Sequence, residues 1–124
     1  MELDQTWFEE QVIAVLASLP DEFAQHLSNL EIVVEPAPRP EHRRAAGIKP
    51  WQTLYGLYQG TPLSHRSSSY NLVPPDIITI FTVPLLRDYP TEERLKAQIR
   101  RTVLHELAHH FGTDDDRLHE IGAY

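Results

Sequence analysis

The sequence predicts an α+β fold: a helix, then short strands, then a long helix that carries the reactive residues. Three observations support this. Apolar residues recur at helical spacing over 4–18, β-branched runs fall at 30–35 and 76–83, and a capped amphipathic pattern runs from Thr91 to Phe111. With 124 residues the chain fits one compact domain, 1–124, large enough to bury a core without staples.

The first helix, over about 4–18, can be capped by Asp4 or Thr6. Phe8, Val12, Val15, Leu16 and Leu19 form its apolar side, with Glu9, Glu10 and Gln11 between them. Pro20 ends it, because the residue before a proline is pushed out of the helical region. A short turn is expected over 21–27. Leu30 to Glu35 reads as a strand between polar and proline-rich flanks. From Pro36 to Pro50 the prolines and Gly47 read as an extended loop, with His42 solvated in it. Leu54 to Tyr58 reads as a second strand and Pro62 to Arg66 as a third, followed by a polar loop at 67–71. Asp76 to Val83 is apolar on both faces, with Ile77, Phe81 and Val83 on one and Ile78 and Ile80 on the other. A strand of that kind belongs in the centre of a sheet. Residues 85–89 read as a short connection.

The last helix starts at Thr91, a good N-cap. Glu92 and Glu93 follow at the positive end of its dipole. Gly112 is a natural residue on which to stop it. Val103, Leu104, Leu107, Ala108 and Phe111 share one broad face, while Gln98, Thr102, His105 and His109 share the opposite one. The remainder, 113–124, reads as a short terminal helix.

Composition removes several chemistries. There is no cysteine, so disulfides, thiolate metal sites and cysteine nucleophiles are excluded. A formal charge of −7 argues against a nucleic-acid partner. No apolar run approaches a membrane span, and the acidic N-terminus lacks the basic and apolar regions of a signal peptide. The expectation is a soluble cytoplasmic protein without a membrane partner.

His105-Glu106-Leu107-Ala108-His109 is the pattern H-E-x-x-H on a helix. Side chains at i and i+4 lie about 40° apart and one turn from each other, so both imidazoles can reach one divalent ion. Glu106 can project toward a water on that ion and act as general base. This is a zinc hydrolase arrangement. A catalytic zinc needs a third protein ligand and an open position. After the Gly112 turn the candidates are Asp114, Asp115, Asp116, His119 and Glu120. Stabilising the oxyanion calls for a further cationic or phenolic group. Tyr70, Tyr89, Tyr124, His65, Arg66 and Arg117 are the candidates. His110 points about 100° away from the ligand pair and reads as a supporting or interface residue.

Extended to His105, Glu106, His109, Gly112 and Asp115, the stretch H-E-x-x-H-x-x-G-x-x-D resembles the motif of the Asp-zincins. Together with 56–63 and 75–81 it is similar to a family of small bacterial zincin-like proteins. The resemblance implies a minimal zincin-like fold, with a small, twisted, mostly antiparallel sheet packed on a C-terminal active-site helix. It implies one Zn2+ ion held by His105, His109 and Asp115, and a metallopeptidase acting on a peptide or protein substrate. A metzincin would have a third histidine at position 115 and a methionine turn downstream. The only methionine here is Met1. Two other functions fit the same stretch: a metal-bearing interaction module without turnover, and a metal-dependent endoribonuclease.

Overall fold

The computed structural model describes residues 3–24, 27, 29–60 and 75–111. Along the chain run helix α1 (Gln5–Ala17), a single turn α2 (Asp21–Ala24), strand β1 (Leu30–Glu35), helix α3 (Pro40–Ala46), strands β2 (Gly56–Gln59) and β3 (Asp76–Phe81), and helices α4 (Thr82–Asp88) and α5 (Glu92–Phe111). The α+β class expected from the sequence is the one observed. The expected third strand at 62–66 and the terminal helix at 113–124 lie outside the described residues.

Asp4 caps α1: its Oδ1 accepts from the Trp7 amide at 2.9 Å and supplies a partner for one of the orphan donors of the first turn. Phe8, Val12 and Val15 form its buried face, as their spacing requires.

The sheet order is β1-β3-β2, with β3 in the centre. Among the described strands it is mixed rather than mostly antiparallel. β1 runs parallel to β3, pairing Ile32 with Ile78, while β2 runs antiparallel to it, pairing Tyr58 with Ile78. A parallel pair needs a long crossover, and the chain between β1 and β3, including α3 and β2, supplies one. The apolar faces of β3 foretold its central place. Ile78 and Ile80 join Phe8, Val12, Leu95 and Leu104 on one side, while Phe81 joins Leu54 and Leu57 on the other.

Two further expectations fail. The stretch read as a loop between Pro36 and Pro50 contains α3. Pro40 opens that helix, where a missing N–H costs nothing, and Gly47 closes it at φ 68°. His42 is accordingly buried, not solvated. Its Nδ1 accepts from the Arg39 amide at 2.9 Å, and its Nε2 lies 3.2 Å from Glu35 Oε2. The ring also packs edge-on against Phe81. Secondly, β3 ends at Phe81, and the residues after it form α4 instead of more strand and a connection. Pro84 falls in the first turn of α4, where proline is tolerated, and Val83 is left exposed.

Helix α5 begins as expected, with Thr91 Oγ1 accepting from the Arg94 amide at 3.3 Å. Leu95, Ile99, Val103, Leu104, Leu107 and Ala108 are all buried. The helix is thereby fixed against the sheet along one side, which leaves His105 and His109 exposed on the other. Among the described residues, no helix is long and apolar enough to cross a membrane.

Candidate metal centre and cleft

One ligand atom from each of His105, Glu106 and His109 can be chosen so that all three lie within 4.8 Å of one another. The two imidazole centroids are 4.3 Å apart. Nitrogen and oxygen ligands of one zinc sit about 2.0–2.2 Å from it, hence no more than about 4.4 Å from each other. Two neutral imidazoles and a carboxylate, with no thiolate, suit zinc and other borderline divalent ions.

Glu106 differs from the histidines in how it is held. Its Oε1 accepts from the backbone amide of Tyr58 at 3.0 Å. The pairing of β2 explains why that amide is available. Tyr55 O accepts from Phe81 N at 2.9 Å, and antiparallel pairs alternate between bonded and non-bonded positions. Residues 55, 57 and 59 therefore direct their backbone groups at β3, while Gly56 and Tyr58 direct theirs outward. The outward edge of β2 meets the face of α5 that carries His105 and Glu106.

Between them lies an open cleft of about 1080 Å³. Gln98, Thr102, His105 and Glu106 contribute to its α5 side, and Gly56 and Tyr58 to its strand side. Gly56 is required for the close approach of these sides. A Cβ there would lie 2.7 Å from Thr102 Cγ2 and 3.1 Å from Thr79 O.

Tyr58 and Asp76 were not singled out by the sequence reading. The Tyr58 hydroxyl donates to Asp76 Oδ2 at 2.8 Å in buried surroundings, and Asp76 is only 4% exposed. His110 stacks on the Tyr58 ring at 4.1 Å, with its Nε2 3.7 Å from the same Asp76 oxygen. His110 thus packs on Tyr58 and lies outside the group formed by His105, Glu106 and His109. A buried aspartate at the start of an apolar strand was the available signal, since such a group demands a partner.

Of the oxyanion candidates, Tyr89 is described. It packs edge-on against Tyr55 and does not line the cleft. Tyr70, Tyr124, His65, Arg66 and Arg117 lie outside the described residues. So do Gly112, Asp114, Asp115, Asp116, His119 and Glu120.

The cleft wall is braced at Tyr55. Its hydroxyl donates to Asp88 Oδ2 at 2.5 Å, and Arg87 Nε donates to Asp88 Oδ1 at 2.8 Å. The Tyr55 phenol is pushed above its ordinary range by burial first and by its bond to Asp88 second. Asp88 is lowered from 3.8 to about 2 by the Arg87 hydrogen bond and then by that of Tyr55. A depressed carboxyl stabilises the fold above its unfolded value and loses that contribution as pH falls through the folded one. The Asp88→Asn variant should therefore have a lower urea midpoint than the parent at neutral pH. That gap should close as pH falls from about 4 toward 2. A gap independent of pH would contradict the assignment.

A conserved hypothetical protein from Thermo thermophilus has a similar structure, with a TM-score of 0.57 over 88% of this chain and 94% of that chain. The two are 21% identical, so the likeness is one of fold. No curated protein matches the chain. The family described as zincin-like metallopeptidase matches residues 27–123, a span that includes the sheet, the cleft and the whole of α5. The chain belongs to the zincin-like metallopeptidase family.

Proposed function

We propose that this protein is a zinc-dependent peptidase. His105, His109 and Asp115 would hold one ion, and Glu106 would serve as general base. The observation that carries this reading is the convergence of His105, Glu106 and His109 on an open cleft beside a strand edge. A divalent ion held there would supply Lewis acidity toward a carbonyl oxygen and would make water a better nucleophile near neutral pH. Glu106 takes the proton of the attacking water and delivers it to the departing amine. Its attachment to Tyr58 keeps the carboxylate on the cleft side of α5 while it does so. The cleft runs beside the outward edge of β2, and an extended peptide laid there could be held by main-chain hydrogen bonds. Asp115 enters on the motif alone.

Elemental analysis of the purified protein, followed by digestion of a peptide library with and without chelator, tests the reading. One equivalent of zinc and chelator-sensitive cleavage are expected. A stoichiometric metal with no cleavage of any peptide would remove the peptidase reading and favour a metal-bearing interaction module.

A further inference from the structure

We propose that the Tyr58 backbone amide, itself fixed by the buried Tyr58–Asp76 hydrogen bond, is the group that positions the Glu106 carboxylate, independently of any metal. The functional weight of this inference rests on the general-base reading of Glu106; the structural part does not.

Three contacts carry it. The first is the 3.0 Å bond from Tyr58 N to Glu106 Oε1. An N–H bonded to a carboxylate is charge-assisted and roughly twice as strong as a neutral pair. It spans 48 positions in sequence, so it reports the tertiary placement of β2 against α5 and not a local turn. The second is the 2.8 Å bond from the Tyr58 hydroxyl to Asp76. Asp76 is the first residue of the central strand and is paired to Leu30 of β1. Tyr58 faces Ile78 as a non-hydrogen-bonded pair, so its own hydrogen-bonded tie to β3 is the one its side chain makes at Asp76. The third is the stacking of His110 on the Tyr58 ring, which joins the same residue to the end of α5.

A carboxylate on an exposed helix face ordinarily samples several rotamers, and ordering such a side chain costs conformational entropy. Here one oxygen is held by a backbone group that cannot rotate away without disturbing the sheet. The base is thus oriented before substrate arrives, the kind of pre-organisation that well-placed catalytic groups require. Tyr58 and Asp76 are positioning residues in this scheme, because they act through Glu106.

Amide hydrogen exchange read by NMR tests this without any need for turnover. The Tyr58 N–H points away from the ladder, so its protection depends on Glu106. In the intact chain it should exchange at least about 10-fold more slowly than an unstructured amide, with and without chelator. Glu106→Ala should abolish that protection. Glu106→Gln, whose side-chain oxygen still accepts, should keep it. The Leu57 and Gln59 amides, directed at β3, report global stability and should not respond to either change. Tyr58→Phe should weaken Tyr58 protection by several-fold, as the strand loses its tie to Asp76. An unprotected Tyr58 amide, or protection that survives Glu106→Ala, overturns the inference whether or not any peptide is cleaved. Where cleavage is observed, Tyr58→Phe should lower kcat and leave KM unchanged. A change in KM alone would place Tyr58 in substrate binding instead.

Discussion

Replacing Glu106 by glutamine is expected to lower peptide hydrolysis by about 10²–10⁴-fold, the usual contribution of a positioned general base. Metal content should not change, because the variant keeps both imidazoles. The backbone tie should also survive, since the glutamine oxygen can accept from the Tyr58 amide as Oε1 does now. The substitution therefore removes one capability, taking a proton, and leaves shape and hydrogen bonding in place. His109→Ala is the contrasting case. It deletes one of the two imidazoles whose rings lie 4.3 Å apart, so both metal and activity should be lost. Measuring zinc stoichiometry and cleavage on the same preparations separates the roles. Unimpaired hydrolysis by Glu106→Gln would rule out the base role. Loss of zinc from that variant would make Glu106 a ligand.

The helix and the face that carries its histidines were legible because their determinants are local. Thr91 announces the start, the apolar positions fix the buried side, and the spacing of His105 and His109 places both on one face. The central place of β3 was legible for a related reason. A strand covered on both sides has no polar face, and 77–83 has little room for one. What escaped was of two kinds. In α3 the signals were present but were outweighed by the number of prolines. Pro40 at the first position and Gly47 past the end are helix punctuation as much as loop residues. Pro84 likewise marks the first turn of α4, not merely the end of a strand. The second kind had no local signal. The bond between Tyr58 and Glu106 depends on which strand lies at the sheet edge and on which parity of its amides faces outward. Parallel pairing of β1 with β3 is equally a property of the whole chain path.

Gly56→Ala should destabilise the protein, and the reason is spatial. Gly47 is the glycine with positive φ among the described residues, so the backbone at Gly56 is one that alanine can adopt. In a compatible conformation, glycine to alanine would stabilise by about 0.4–1 kcal/mol through the unfolded chain. Against that gain stands the added methyl, placed 2.7 Å from Thr102 Cγ2 and 3.1 Å from the Thr79 carbonyl oxygen. Thr102 is β-branched, 9% exposed and linked by its hydroxyl to Gln98 at 3.0 Å, so it has little freedom to turn aside. Overpacking of this kind costs about 1–3 kcal/mol, and the steric term should win. Thr102→Ser removes the offending methyl and keeps the hydroxyl. The double variant should therefore recover part of the loss, with a coupling of at least about 0.5 kcal/mol in a cycle of four urea titrations. Additive effects would mean that the added methyl does not meet Thr102, whereas a clash there forces a separation of β2 from α5. The same separation would move Tyr58, two residues along β2, away from Glu106, one turn along α5. The single variant should thus also lose Tyr58 amide protection, and the double variant should regain it. The spacing of strand and helix at Gly56 would then be what holds the carboxylate of Glu106 in place.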